Sequence, residues 1–239
     1  MRAAVISDVH GNLAALEAVL ASIDERTPDE LWCLGDLVGY GARPNECCTT
    51  VRRRSTTCLA GNHDLAVRGT IDLMEFSGDA GVAARWTRDV LAPESLAYLN
   101  TLEPSGTAHG IELFHGSAYD PVWEYVLTAE AVAITLALTE SQVVLVGHSH
   151  VALHVSTTGA GGLAPDGTNL ELGDARHLLN PGSVGQPRDG DPRAAWLELD
   201  LDAKTASFHR VSYDVERTQG EIRAAGLPEV LAERLAYGQ

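Results

Sequence analysis

Residues 3 to 12 read Ala-Ala-Val-Ile-Ser-Asp-Val-His-Gly-Asn. The first four are apolar, and the run stops abruptly at Ser7 and Asp8, with His10 two positions further on. An apolar run this short, bounded by turn residues, predicts a strand buried on both faces that delivers polar side chains at its carboxyl end. The figure recurs in Leu31 to Leu34 before Gly35-Asp36, Thr57 to Ala60 before Gly61-Asn62-His63-Asp64, and Ile111 to Phe114 before His115-Gly116. It returns in Val143 to Val146 before Gly147-His148-Ser149-His150, and in Leu178-Leu179 before Asn180-Pro181-Gly182. Helical patterns fall between these runs. Asn12 to Glu25 puts Leu13, Leu16, Val19, Leu20 and Ile23 on one face, and Glu46 to Arg54, Asp79 to Leu91, Ala129 to Thr139 and Val215 to Ala236 also read as helices. Strand then helix, repeated, predicts an α/β fold with parallel pairings. Toward the C-terminal end, Ala194 to Leu201 and Thr205 to Tyr213 flank Asp202-Ala203-Lys204 as a hairpin would, and Gly159 to Thr168 is rich in turn residues. A second, more antiparallel sheet is expected there.

A chain of 239 residues is long enough for one substantial core, and one domain over 1–239 is expected, with no internal repeat and no linker. Its 17 basic and 33 acidic residues leave a net charge of −16, which repels phosphate backbones. No stable nucleic-acid complex is expected, and the run Arg52-Arg53-Arg54 reads as a solvated helix end. No apolar stretch approaches the roughly 18 residues a membrane span needs, and Asp8 and His10 interrupt the N-terminal segment before a signal-peptide core is complete. The expected location is the cytoplasm. Cys33, Cys47, Cys48 and Cys58 form no C-x-x-C pair, and two of them sit inside predicted strands, so reduced core cysteines are expected.

Ligands of open α/β sheets bind at the carboxyl ends of strands. Those ends carry Asp8, His10, Asp36, Asn62, His63, His115, His148 and His150. Imidazoles, carboxylates and an amide oxygen suit a borderline divalent ion such as Mn²⁺, Fe²⁺ or Zn²⁺ better than Ca²⁺ or a thiophilic metal. Seven potential ligands exceed the four to six positions that one ion offers, so two ions are expected. A histidine taken alone is more often a hydrogen-bonded core or surface residue than a ligand. Five of the nine histidines, however, share the position just after a predicted strand, beside Gly or Asp. His109, His154, His177 and His209 do not, and ordinary roles are expected of them.

Taken in order, Asp8-Val9-His10-Gly11-Asn12, Gly35-Asp36, Gly61-Asn62-His63-Asp64, His115-Gly116 and Gly147-His148-Ser149-His150 resemble the five motifs of the calcineurin-like metallophosphoesterase superfamily. The segment Asn180-Pro181-Gly182-Ser183-Val184-Gly185-Gln186-Pro187-Arg188 resembles the downstream part of its small bacterial phosphodiesterase branch. The resemblance implies a four-layer α/β/β/α sandwich with two mixed β-sheets. It implies Asp8, His10 and His150 on one metal, Asn62, His115 and His148 on the other, and Asp36 bridging the two. Two divalent ions per chain are the implied cofactor, manganese first, with iron, zinc or nickel as the other candidates. His63 resembles the proton donor, and Asp64 beside it either orients and charges the ring or makes only a loop hydrogen bond.

The implied activity is hydrolysis of a small phosphoester, with phosphodiesters favoured. Protein phosphatases of this superfamily carry G-D-x-V-D-R-G, whereas here Gly35-Asp36-Leu37-Val38-Gly39-Tyr40-Gly41 lacks the Asp-Arg pair. A Ser/Thr-type protein phosphatase or a dinucleoside polyphosphate hydrolase is therefore the alternative. A non-catalytic scaffold, like the retromer subunit with this fold, comes third, because that subunit has replaced the donor histidine that His63 preserves. Arg43 is a candidate phosphate contact or a solvent-exposed residue at a helix start. Trp123 and Tyr125 could stack a base or an aryl leaving group, or one ring could anchor its loop on the core. Residues 71–102 form a possible helical cap and residues 214–239 a C-terminal helical segment.

Overall fold

Alternate side chains of a strand point to opposite faces, and the strand β1 (Arg2–Ile6) is buried on both. Ala3 and Val5 face one hydrophobic cluster, while Ala4 and Ile6 face another. In the computed structural model, which describes residues 1–239, β1 lies at the centre of one of two six-stranded sheets. That sheet runs in the order β3 (Thr57–Cys58), β2 (Glu30–Cys33), β1, β11 (Ala194–Asp200), β12 (Thr205–Val211) and β9 (Asn169–Glu171). The other runs β4 (Ser105–Ala108), β5 (Ile111–Phe114), β6 (Val143–Val146), β10 (His177–Pro181), β7 (Ala152–Ser156) and β8 (Gly161–Leu163). Each sheet is mixed. In the first, β3, β2 and β1 pair in parallel and β11, β12 and β9 antiparallel. In the second, β5, β6 and β10 are parallel, with antiparallel strands at both edges.

The layers follow from which residues each face buries. Ala4, Ile6, Leu31 and Cys33 pack against α1 (Leu13–Arg26) and α2 (Pro44–Arg54) through Leu16, Val19, Ile23, Cys48 and Val51. The opposite face of the same sheet, with Val5, Trp32, Leu34, Leu197 and Phe208, meets Leu113, Val143, Leu145 and Leu179 of the second sheet. Beyond the second sheet, Val144, Val146 and Leu178 pack on α6 (Ala129–Leu138) through Ala131, Val132 and Leu136. The result is a four-layer α/β/β/α sandwich with two mixed sheets. Each fully buried Leu or Val contributes roughly 1.5–3 kcal/mol, so the helix-covered layer and the inter-sheet layer together hold the strand ends in place.

The structure departs from the expected hairpin placement. The β11–β12 hairpin does not begin a second sheet; β11 pairs antiparallel with β1, Arg2 opposite Asp200 and Val5 opposite Leu197. The second sheet starts instead at β4 and β5. The helix expected over Val215 to Ala236 is broken into α7 (Val215–Ala224), α8 (Glu229–Glu233) and a final 3₁₀ turn. Gly226 takes φ +69° and Pro228 follows it, a pairing that ends one helix and opens another. Residues 71–102 form a 3₁₀ turn, α4 (Gly78–Val90) and α5 (Pro93–Leu99), after the short α3 (Asn62–Val67). The α5 end joins the outer helical layer through Leu99 and Leu102. The α4 residues Ala83 and Trp86 instead pack with Ile222, Leu227 and Leu231 of the C-terminal segment, against which Tyr40 also rests. The four cysteines are free, and no helix is long and apolar enough to cross a membrane.

Candidate functional site

The carboxyl ends of β1, β2, β3, β5 and β6 converge where the two sheets meet. Five of the residues delivered there have left-handed backbone: Asp8 at φ 55°, His10 at 48°, Asp36 at 52°, His148 at 59° and His150 at 60°. A non-glycine residue in that region costs about 1 kcal/mol or more, and such strain gathers at functional sites. The loops hold one another in place. Asp8 N–H donates to Gly35 O at 3.0 Å, His10 N–H to Asp36 O at 2.9 Å, and Gly185 N–H to Asp8 O at 2.9 Å. Two glycines permit the close approach. A Cβ on Gly61 would stand 2.0 Å from Asp36 Oδ1, and one on Gly39, where φ is +91°, would stand 2.3 Å from His63 Nδ1.

Two groups of donor atoms result, Asp8, His10, Asp36 and His150 in one, and Asp36, His115 and His148 in the other, with atoms of each group within 4.8 Å of one another. Asp36 is common to both, its Oδ2 lying 3.5 Å from His10 Nε2 and 3.5 Å from His115 Nε2. Asn62 Oδ1 sits 3.2 Å from His115 Nε2. The orientation of the rings argues for a cation. His10 Nδ1 lies 3.0 Å from Val38 O, His115 Nδ1 2.9 Å from Leu34 O, and His150 Nδ1 2.6 Å from Gln186 O. A carbonyl accepts only from a protonated nitrogen, so in each neutral ring Nε2 carries the lone pair. Yet His10 Nε2 and His150 Nε2 face each other at 3.0 Å. Both oxygens of Asp8, Asp36 Oδ2 and His148 Nε2 are buried without a hydrogen-bond partner. Buried acceptors aimed at one another make a donor set suited to divalent ions.

Electrostatics in the metal-free protein follow from burial. It pushes the Asp8 carboxyl up to about 7 and lifts Asp36 well above the carboxylate range, the nearby Asp64 adding to the latter. It holds His10 and His150 well below the usual imidazole range and brings His148 down to about 2. Burial thus favours neutral His10, His148 and His150, the state in which imidazoles bind metals.

His63 stands beside the two groups. Its N–H donates to Asp36 Oδ1 at 2.9 Å, and its ring lies 4.5 Å from Tyr40 and 4.8 Å from Phe76, centroid to centroid. Nδ1 is enclosed without a partner, and burial, then the charge of Arg188, holds the ring down to about 3. Asp64 does not touch this ring. Its carboxylate accepts from Leu37 N–H at 3.0 Å, Val38 N–H at 3.2 Å and Gly61 N–H at 2.9 Å, so it braces the loops that carry Asp36 and Asn62. That geometry replaces the expected orienting or charging of His63 with the loop hydrogen bond.

A cavity of about 160 Å³ opens over the cluster, lined by Asp36, Asn62, His63, His148 and His150 together with Tyr40, Phe76, Trp123, Tyr125 and Arg188. Trp123 packs on Phe76 at 5.3 Å, and Tyr125 stacks on His148 at 4.2 Å with the rings 12° from parallel. Of residues 71–102, only the stretch from Glu75 to Ala80 reaches the cavity wall. Arg43 does not line it. Its guanidinium is ion-paired with Glu46 at 3.0 Å and Glu221 at 3.1 Å, which ties α2 to α7. The sequence reading passed over Arg188, although it closes the Asn180 to Arg188 segment after β10. The available signal was the resemblance of the Asn180 to Arg188 segment, since Arg188 itself stands in the loop between β10 and β11.

Residues 1–202 match the calcineurin-like phosphoesterase superfamily domain. The chain is similar to the crystal structure of a metallophosphoesterase from Sphaerobacter thermophilus, at 42% identity and a TM-score of 0.91, over 100% of this chain and 99% of that one. It is 36% identical to an uncharacterized protein of Methanocaldococcus jannaschii over 241 residues, 99% of this chain and 98% of that protein. A shorter similarity, 36% over 70 residues, joins 28% of this chain to 26% of a symmetrical bis(5'-nucleosyl)-tetraphosphatase of Actinobacillus pleuropneumoniae. The chain belongs to the calcineurin-like phosphoesterase superfamily and is a metal-dependent phosphoric ester hydrolase.

Proposed function

We propose that the protein hydrolyses small phosphoesters, phosphodiesters ahead of monoesters and phosphopeptides, at a dinuclear centre that manganese fills. The reading rests above all on Asp36, whose Oδ2 is equidistant, at 3.5 Å, from one imidazole of each donor group. Asp8, His10 and His150 would hold one ion and Asn62, His115 and His148 the other, with Asp36 shared. When bound, such a pair supplies a water acidified to near-neutral pKa and neutralises charge on a phosphoryl group.

The chain's own residues do the rest. With Nδ1 shut in against Gly39, His63 Nε2 is the nitrogen left to face the cavity, and it gives its proton to the oxygen of the leaving group. In the metal-free protein burial and the charge of Arg188 hold that ring low, and the negative charge of a bound ester favours its protonated, donating form. Trp123 and Tyr125 form the wall on which a planar leaving group lies. Gly39-Tyr40 in place of an Asp-Arg pair ranks protein phosphatase activity second. Dinucleoside polyphosphates remain a second substrate reading on one observation, the local similarity to the symmetrical tetraphosphatase.

The test is a rate panel on Mn-reconstituted protein: aryl mono- and diesters, cyclic nucleotides, dinucleoside polyphosphates and phosphopeptides, with elemental analysis of the same sample. Two metals per chain and fastest turnover on a diester are expected. Faster turnover on phosphopeptides than on every diester reverses the ranking, and a saturating stoichiometry of one metal removes the dinuclear reading.

A further inference from the structure

We propose that the Arg188 guanidinium is the anion clamp of this cavity, taking a non-bridging oxygen of the phosphoryl group under attack. The proposal rests on the phosphoesterase reading and extends it to a residue outside the five motifs. Arg188 is the only Lys or Arg among the residues lining the cavity over the donor cluster. In a chain of net charge −16, Arg193 is paired with Asp191 at 2.7 Å and Asp166 at 2.8 Å, and Arg210 with Asp189, while Arg234, whose charge Arg188 opposes, is held by the Gln239 carbonyl outside the cavity lining. Arg188 has no carboxylate partner. Its side chain donates to Gln186 Oε1 at 2.8 Å and, weakly, to the Tyr40 hydroxyl at 3.5 Å, and its Nε is buried with no acceptor at all. A guanidinium is never deprotonated, so a fold that leaves one part-buried, unpaired and short of an acceptor has reserved it for an anion that arrives.

The side chain is also preorganised. Its guanidinium carbon lies 5.8 Å from the centroid of the Tyr40 ring, and that ring is 4.5 Å from His63 and 4.7 Å from His10. Arg188 N–H donates to His150 O at 3.1 Å, while Gln186 O accepts from His150 Nδ1. The same turn therefore aims a candidate metal ligand inward and fixes the cation beside it. A fork-shaped, stacked guanidinium matches the oxygens of a phosphoryl group in a way that an ammonium does not. It supplies the arginine that the Gly35 to Gly41 segment lacks, from the loop between β10 and β11.

The experiment compares Mn-loaded wild type, Arg188→Ala and Arg188→Lys. Three readouts are taken: metal content, the dissociation constant of inorganic phosphate by calorimetry, and KM and kcat on an aryl diester. Arg188→Ala is expected to keep two metals and to weaken phosphate binding and raise KM by roughly 10- to 100-fold, the usual worth of a charge-assisted pair. Arg188→Lys is expected to recover part of that loss, since it restores charge without the fork; should the alanine variant fail to fold, the lysine variant alone is expected to show a several-fold weaker phosphate constant. Unchanged phosphate binding and KM in either folded variant overturns the clamp. Loss of metal in both variants overturns it too, because Arg188 would then be bracing the ligand loop. If wild type hydrolyses the diester and Arg188→Ala does so equally well, only the clamp fails. If wild type binds phosphate through Arg188 but cleaves no ester, the hydrolase reading fails and the clamp stands.

Discussion

Replacing Asp8 by Asn is expected to stabilise the metal-free protein at alkaline pH and to abolish most of the stabilisation that metal brings. Both Asp8 oxygens are buried without a hydrogen-bond partner, and burial raises the carboxyl from 3.8 to about 7. In the unfolded chain it ionises near pH 4, whereas in the folded protein it holds its proton until about pH 7. The folded state therefore binds the extra proton across that interval, and stability declines as pH rises from about 4 to about 7, then levels off. At about 1.4 kcal/mol per pKa unit, the accumulated loss above pH 7 is about 4 kcal/mol. Asparagine has no such pH dependence, but its buried, unpaired amide returns about 1–3 kcal/mol of the gain. The variant should match wild type near pH 5 and exceed it by a few kcal/mol at most at pH 8. For a chain of this length that is a Tm difference of roughly 4–10 °C. Thermal unfolding in chelator at both pH values measures it, and the difference between the two proteins cancels the buried histidines they share. Addition of Mn²⁺ at pH 8 should then raise the Tm of wild type far more than that of the variant. A variant less stable than wild type in chelator at pH 8, a Tm gap independent of pH, or equal shifts on adding metal would each refute the reasoning.

His63→Ala should retain both metals and lose roughly 10²- to 10⁴-fold in rate on esters with poor leaving groups, and much less on activated aryl esters, whose leaving anion needs little protonation. A penalty independent of leaving-group pKa, read from a linear free-energy plot, would make His63 a positioning group instead. Asp64→Ala strands the N–H groups of Leu37, Val38 and Gly61 and should cost several kcal/mol of stability in chemical denaturation, more than Asp64→Asn, which keeps one acceptor. The Asn variant should leave the leaving-group dependence unchanged; a steepening like that of His63→Ala would show that Asp64 acts on the proton donor after all.

How much of this was legible in the sequence depended on how local the cause was. Runs such as Ala3 to Ile6 and Val143 to Val146 declared themselves as strands because both of their faces are buried, a condition written into consecutive residues. The donor types at their ends were equally plain, since an Asp or His straight after such a strand is carried to the sheet's edge wherever the strand sits. Tertiary structure alone decided which strand lies beside which. The alternation in Ala194 to Asp200 is satisfied by any sheet with an open edge, and only pairing with β1 places that hairpin in the first sheet. The same holds for charge. Arg43 and Arg188 are indistinguishable as residues, yet Glu221, 178 positions away, ion-pairs with one, while the other's side chain is held by the Gln186 amide oxygen. Asp64 likewise looked like a partner for its neighbour His63, and the helical turn that begins at Asn62 aimed it at the backbone of Leu37 and Val38 instead. Side-chain direction and the company of residues distant in sequence are properties of the packed chain, because they are set by which surfaces exclude water from one another rather than by any local pattern.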